Sequence, residues 1–265
     1  MRMISYDLLM QTKKCFMEPC DRRIDLWHSS LDVIEWRRLL VLLSNEERHR
    51  ADGFAHERDT RRFVVSHAML RLLLSQLTAI PASQLRLSVE RDSKPALLEE
   101  PRQPIHFSLA RSEELVLIGF ASRPLGVDIE SLAKSFDVED FATVALADEE
   151  REALKAVNPV DRHEAVLRCW TQKEAYLKAI GVGLYISPKT IEVSFVPGAP
   201  PGLKKASGSS NSASNWFVDV VVPDPAYVGA VAAHGVGWRV EMTRFDMSFL
   251  PMRSEKGNMV DKRTS

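Results

Sequence analysis

The feature that most limits how this chain can fold is one helical stretch, PVDRHEAVLRCWTQKEAYLKAIG (Pro159 to Gly181). Pro159 stands just outside the predicted helix, and Asp161 is an acceptable N-cap. Gly181 predicts the end of the helix, because glycine readily adopts the left-handed conformation that closes a last turn. Lys178 lies in that last turn, where a cation favours the negative end of the helix dipole.

Both halves of the chain run from a charged segment to a long helix and then to strands. SNEE (Ser44 to Glu47) predicts a helix start with a capping box, and Phe63 to Leu77 predicts a helix buried on most sides. Ala142 to Val157 predicts one further helix with an acidic start. The predicted strands are LRLSVE, IHFSLA, LVLIGFA, GVDIE, ISPKTIEVSF, WFVDVVV, YVGAVAAH and VGWRVEM, of which the second and third form a hairpin.

This order predicts an α+β fold of two similar subdomains, residues 1–124 and 125–250. The polar residues 251–265 are expected to form a disordered tail. Residues 198–215, rich in Gly, Pro, Ser and Ala, are expected to form a flexible loop.

The composition argues against several classes of protein. A net charge of -1 gives no sign of a nucleic-acid partner. Three cysteines without CxxC spacing predict free thiols in a reducing cytosol rather than a disulfide framework. The N-terminus does not read as a secretory signal, and LLVLL (Leu39 to Leu43) is far too short to span a membrane. We therefore expect a cytoplasmic protein without a membrane partner.

Two carboxylates alternate with apolar residues in GVDIE (Gly126 to Glu130). Because successive side chains of a strand point to opposite faces, Asp128 and Glu130 share one face. Alternating acids of this kind are most often solvated residues of an edge strand. A close buried pair would instead need a counter-cation, since like charges repel and desolvation penalises both.

A third carboxylate, Glu174, lies in WTQKEAYLK (Trp170 to Lys178) on the long helix. Glu174 and Lys178 are four residues apart and share a helix face. By itself this is an ordinary surface ion pair worth a few tenths of a kcal/mol, roughly. Basic residues also stand at the ends of predicted elements, namely Arg50, Arg62, Lys94 and Arg111. Together, the acids and the cations are typical of a site that binds Mg²⁺ and phosphate.

At these residues the sequence resembles the surfactin-type 4'-phosphopantetheinyl transferases. The family pattern of a G-[IV]-D-[IV]-E strand, then W-[ST]-x-K-E-[SA]-[YF]-x-K and G-x-G-L, is matched by GVDIE, WTQKEAYLK and GVGL (Gly181 to Leu184). Upstream, SKP (Ser93 to Pro95) is similar to the G-K-P segment, and IHFSLARS (Ile105 to Ser112) is similar to F-N-[IL]-S-H-S. RHRADGF and RRF resemble the early basic region, so the resemblance covers roughly residues 40 to 240.

The resemblance implies transfer of the phosphopantetheine arm of coenzyme A to a serine of an apo acyl or peptidyl carrier protein. It also implies a pseudo-twofold pair of α+β subdomains, a monomer and dependence on Mg²⁺. The metal ligands would be Asp128, Glu130 and Glu174, with Glu174 and Lys178 as the catalytic residues. The coenzyme A ligands would be Arg50, Arg62, Lys94, Pro95, Ser108, Arg111, Asp128, Lys173 and Lys178.

One departure concerns the Ser-His pair of the family, which is Ala110-Arg111 here. Arginine is always charged and binds phosphate in a bidentate way, so Arg111 is expected to keep the contact with the 3'-phosphate. The alternative is weakened 3'-phosphate recognition.

Two other functions stay open. One is another Mg²⁺ enzyme that processes a pyrophosphate, and the other is a coenzyme A-binding relative without turnover. The sequence contains no HExxH, Walker A or GxGxxG motif. His67, inside an apolar helical stretch, is expected to be a core or interface residue rather than a ligand.

Overall fold

The computed structural model describes residues 22–88, 95–98, 104–182, 185–206 and 213–247. The helices are α1 (Asn45–Asp52), α2 (Glu57–Thr78), α3 (Val138–Ala145), α4 (Asp148–Lys155) and α5 (Arg162–Ile180). The strands are β1 (Arg23–Ser30), β2 (His106–Ser112), β3 (Leu115–Ala121), β4 (Leu125–Ser131), β5 (Glu192–Ser194), β6 (Gly202–Lys205), β7 (Trp216–Val221), β8 (Tyr227–His234) and β9 (Arg239–Arg244). The predicted α+β class is confirmed.

The strands form three sheets, with the orders β2-β3-β1-β9, β4-β8-β7 and β5-β6. All pairs are antiparallel except β1 and β9, which run parallel. The last strand therefore returns to the sheet built by the first half of the chain.

Two serine hydroxyls join the first sheet to the second, where β2 lies beside β4. The Val127 N–H donates to Ser108 Oγ at 3.1 Å, and the Ser131 N–H donates to Ser112 Oγ at 3.1 Å. These bonds satisfy backbone donors of β4 that no neighbouring strand reaches on that side. The strand that carries the acids is thus held on one edge by side chains and on the other by β8.

Three apolar clusters form the core. One packs α2 against the first sheet, one surrounds α5, and the third lies between the two larger sheets. Buried residues of the third cluster come from both halves of the chain and include Leu26, Leu117, Val127 and Val231. Burial of this shared apolar surface stabilises the two halves against each other.

Gly126 lets α5 pack directly on β4. A Cβ at this position would lie 2.0 Å from the Ala175 carbonyl oxygen and 2.5 Å from the Ala179 nitrogen. These atoms belong to the backbone, so they cannot rotate away. The contact brings α5 and the strand close enough to place Glu174 near Asp128.

Gly126→Ala is expected to destabilise the fold by about 3 kcal/mol or more, because the added methyl overlaps helix backbone. The measurement is the urea midpoint of unfolding at unchanged slope. Gly202→Ala on β6 is the matched control, since nothing lies within 4 Å of its Cβ. Equal midpoints for the two variants would contradict this account of the α5–β4 contact.

Several predicted elements are correct. The capping box at Ser44 is present, with Ser44 Oγ accepting from the Glu47 N–H and Glu47 Oε2 accepting from the Ser44 N–H. The hairpin of β2 and β3 forms. The long helix ends at Gly181, which has a φ of 74°.

Other predicted elements need correction. The single helix expected over Ala142 to Val157 is two helices, because Leu146 and Ala147 adopt extended conformations between them. Helix α2 begins earlier than expected, at Glu57. Of LRLSVE, the described part makes one isolated bridge, Leu87 to Leu97.

The loop expected over residues 198–215 contains β6, which pairs with the short β5. Strand β1 was not predicted at all. The expected tail over residues 251–265 lies outside the described residues. In the part that the structure describes, no helix is both long and apolar enough to cross a membrane.

Candidate active site

Asp128 is a buried carboxylate on β4, 7% exposed, that faces α5. Its Oδ1 accepts a hydrogen bond from Lys178 Nζ at 2.6 Å. Its Oδ2 is buried and has no hydrogen-bond donor among the described residues. Burial raises the pKa of Asp128, and the Lys178 ammonium opposes that rise. The side chain therefore holds one oxygen ready for a further cation or donor.

Glu174 lies on α5, one helical turn before Lys178. Its Oε1 is also buried without a donor in the described part of the chain. Burial, and then the negative charge of Asp128, raise the pKa of Glu174 to about 7. A carboxyl group with this pKa changes protonation near neutral pH, which suits a general base.

Glu130 has both carboxylate oxygens occupied. Ser112 Oγ donates to its Oε2 at 2.8 Å, and Lys134 Nζ donates to its Oε1 at 2.9 Å. Its charge still contributes to the raised pKa values of Asp128 and Glu174. Glu130 thus acts on the site through its charge, while each of its carboxylate oxygens accepts a hydrogen bond from another side chain.

The donor set fits a magnesium ion held by two carboxylates. Mg²⁺ usually takes one or two protein carboxylates, several waters and phosphate oxygens. Asp128 Oδ2 and Glu174 Oε1 are two such oxygens without partners. Among the described residues, no three His, Cys, Asp or Glu side chains are arranged to hold a metal together. The predicted membership of Glu130 in the ligand set stays a prediction.

Lys173 is not in this site. It is 0% exposed, and its Nζ lies 2.5 Å from Glu150 Oε2. It also donates to the carbonyl oxygens of Ala145 and Pro188, each at 2.9 Å. This contradicts the predicted contact of Lys173 with the phosphates, because the ammonium is buried and fully occupied by protein acceptors.

Two other predicted ligands are also engaged elsewhere. Ser108 is 2% exposed, and its hydroxyl accepts from the Val127 N–H between the sheets. Arg62 donates to Glu113 at 2.7 Å and to Glu114 at 2.9 Å. Ser108 is thus buried between the sheets, and the charge of Arg62 is already compensated by two carboxylates. Lys94 lies outside the described residues, and Pro95 is half-buried in a short described segment.

The structure brings Arg50 and Arg111 together around Phe63. Their guanidinium carbons lie 5.5 Å and 5.7 Å from the Phe63 ring centroid. Both side chains are exposed, and no described carboxylate lies within ion-pair distance of either one. After burial, the charge of Arg50 is the largest influence that lowers the pKa of Arg111. Two neighbouring cations without an ion pair to a described residue make a site for an anion, although Asp59 acts on Arg111 from a greater distance.

Residues that the motifs did not indicate complete this cationic cluster. His67 stacks on Phe63 with ring centroids 4.0 Å apart. Arg111 Nη1 donates to Ser66 Oγ at 3.3 Å. The spacing of four residues between Phe63 and His67 was the available signal, since such residues share a helix face.

Comparisons with known proteins identify the family. Residues 124–232 match a family model described as the 4'-phosphopantetheinyl transferase superfamily. Residues 26–124 match a model described as 4'-phosphopantetheinyl transferase, N-terminal.

Three curated relatives extend these matches. The 4'-phosphopantetheinyl transferase HetI of Nostoc sp. is 31% identical over 82% of this chain and 90% of its own length. Sfp of Bacillus subtilis, a 4'-phosphopantetheinyl transferase, is 25% identical over 75% of this chain and 85% of its own. The L-aminoadipate-semialdehyde dehydrogenase-phosphopantetheinyl transferase of Rattus norvegicus is 25% identical over 62% of this chain and 56% of its own length.

These matches define a group-transfer enzyme. The chain belongs to the 4'-phosphopantetheinyl transferase family, as the motifs predicted. It is therefore a 4'-phosphopantetheinyl transferase.

Proposed function

We propose that Asp128 and Glu174 hold Mg²⁺ while Glu174 prepares the serine hydroxyl of an apo acyl or peptidyl carrier protein for attack. The reaction would release adenosine 3',5'-bisphosphate. The observation that carries this proposal is the pair of buried carboxylate oxygens without donors, one on β4 and one on α5. When bound, the ion would supply positive charge against the pyrophosphate of coenzyme A.

The remaining work would fall to side chains of this chain. Glu174 is placed to accept the serine proton. Its pKa of about 7 belongs to the metal-free protein, and a bound cation would lower that pKa and keep the side chain ionised. Lys178 compensates Asp128 at 2.6 Å and is only partly buried, so its ammonium can also meet a phosphate oxygen. Because these groups are preorganised in a partly buried site, their charges act more strongly than in water.

Arg50 and Arg111 would hold the 3'-phosphate of coenzyme A. Their mutual repulsion costs energy in the free enzyme, and a phosphate would relieve it. Arg111 stands where the family pattern has histidine, and its planar fork suits bidentate binding of phosphate. Arg62 would contribute less, since Glu113 and Glu114 already compensate its charge.

The test is intact-mass spectrometry of several apo carrier proteins after incubation with this enzyme and coenzyme A. With Mg²⁺ the carrier should gain one phosphopantetheine arm, and with EDTA in place of Mg²⁺ it should gain none. Cleavage of coenzyme A without carrier modification would favour another Mg²⁺-dependent pyrophosphate enzyme. Coenzyme A binding without either reaction would favour a non-catalytic relative. Monomeric state and cytoplasmic location stay predictions.

Arg111→Ala is expected to weaken coenzyme A binding about 10- to 100-fold, the range for a lost hydrogen bond between charged groups. The affinity of this variant for dephospho-coenzyme A, which lacks the 3'-phosphate, should fall only slightly. Isothermal titration calorimetry measures both affinities. Arg239→Ala removes an exposed arginine on β9 as a control. Equal losses for the two ligands would contradict the 3'-phosphate role of Arg111.

A further inference from the structure

His67 has one ring nitrogen fixed inside the protein. The side chain is 16% exposed, and its Nδ1 lies 3.0 Å from Glu47 Oε1. Glu47 is buried, and its Oε2 accepts from Arg71 Nε at 2.6 Å and from the Ser44 N–H at 2.9 Å. A carboxylate held by these donors can only accept at Oε1, so Nδ1 carries a proton.

The other ring nitrogen, Nε2, has no partner among the described residues. In the neutral ring with its proton on Nδ1, Nε2 offers a lone pair and no hydrogen. Besides Glu47, the charges that act on the ring are those of Arg50 of α1 and Arg111 of β2. Both guanidinium groups lie over the Phe63 ring on which His67 stacks. Arg71, on the same helix as His67, compensates Glu47.

The environment of the free enzyme keeps this ring neutral. Burial is the largest influence that lowers the pKa of His67, and Arg111 and Arg50 lower it further. The hydrogen bond and charge of Glu47 oppose them without reversing the direction. The cations that make the cluster attractive to an anion therefore also suppress protonation of the histidine beside it.

We infer that His67 is a third ligand of the anion site formed by Arg50 and Arg111, and that it takes up one proton from solvent when the 3'-phosphate binds. A phosphate dianion presents only acceptors, so Nε2 must gain a hydrogen to bond with it. The dianion also compensates the arginine charges that hold the ring neutral. This inference rests on the proposed binding of coenzyme A, and it makes His67 a specificity-determining residue for the 3'-phosphate.

The sign of the pH dependence follows from the two states of His67. Its pKa is lowered in the free enzyme and would be raised by a bound dianion. Affinity for coenzyme A relative to dephospho-coenzyme A therefore rises as pH falls from the bound-state pKa towards the free-state pKa. Each unit between those two pKa values corresponds to about a tenfold change in affinity.

The experiment is calorimetric titration of the full chain with coenzyme A and with dephospho-coenzyme A, in two buffers that differ in ionisation enthalpy. The difference between buffers gives the number of protons bound with the ligand. Coenzyme A should bring in a substantial fraction of one proton more than dephospho-coenzyme A. His67→Gln should lose that excess and keep its affinity for dephospho-coenzyme A.

His163→Gln is the matched control. His163 also stacks on a phenylalanine, Phe136, with ring centroids 4.5 Å apart, and its Nε2 bonds to the Lys134 carbonyl oxygen. It lies outside the arginine cluster, so this variant should keep the excess proton uptake.

The outcomes separate the two proposals. Coenzyme A binding with no excess proton uptake in the unmodified enzyme would overturn the role of His67 and leave the proposed function standing. The same excess in His67→Gln would also overturn it, since the proton would then sit elsewhere. Failure of both ligands to bind would refute the proposed coenzyme A site and this inference with it. Proton uptake by the unmodified enzyme is measured without any variant, so the inference can be refuted even if His67→Gln does not fold.

Discussion

Glu174→Gln should lower the rate of arm transfer by about a thousandfold, within the range for losing a general acid or base. Glutamine keeps the size of the side chain but can neither accept the serine proton nor supply an anionic oxygen to a cation. It also removes a carboxylate that is in unfavourable electrostatic contact with Asp128. Stability should therefore be unchanged or slightly higher, and coenzyme A should still bind through the arginines.

Single-turnover mass spectrometry measures the transfer rate. Thermal unfolding measures stability, and calorimetry measures the affinity for coenzyme A. Glu164→Gln is the matched control, because Glu164 lies on the same helix and, among the described residues, forms an ion pair with Arg168 alone. Transfer at a normal rate by Glu174→Gln would show that the assigned role of Glu174 is wrong.

Lys173→Met should destabilise the fold by about 3–5 kcal/mol, the cost of breaking a buried ion pair from one side. The substitution leaves Glu150 buried without its cation. The two oxygens of Glu150 also accept from the Ala147 and Val193 N–H groups, so the loss reaches α4 and β5. Adding Glu150→Gln should recover part of the loss, since the uncompensated charge is then gone.

Urea unfolding measures this effect, and calorimetry at low temperature measures coenzyme A affinity of the folded fraction. Lys155→Met, which breaks an exposed pair with Glu152, should change stability by about 1 kcal/mol or less. If Lys173→Met kept its stability and lost affinity for coenzyme A, the result would support the phosphate contact that the motif predicted for Lys173.

The error about Lys173 has a simple geometric origin. Adjacent residues on an α-helix point about 100° apart, and here that angle turns Lys173 to Glu150 while Glu174 lies beside Asp128. Glu174 and Lys178, four residues apart, share the face that meets Asp128. The motif indicated which residues matter on α5, whereas the helical period and the packing partners decided what each one does.

In the arginine cluster, the motifs indicated the two arginines but not the histidine beside them. Arg50 and Arg111 were both predicted as phosphate ligands, and the structure places both of them over one ring, that of Phe63. His67 was expected to be a core or interface residue, because a histidine in an apolar stretch gives no sign of what lies next to it. Its neighbours come from α1 and β2, which are distant in sequence.

The sequence by itself determined the local structure and the chemistry available to it. Gly181 ended α5, Ser44 and Glu47 capped α1, and the alternation of GVDIE placed two acids on one strand face, because these outcomes depend on neighbours along the chain. Only the tertiary structure decided the roles of Lys173, Ser108 and Glu130, and the return of β9 to the first sheet. Apart from the contact of Glu130 with Lys134, their partners lie on other elements of the chain, and their burial exists only once the sheets and helices have packed.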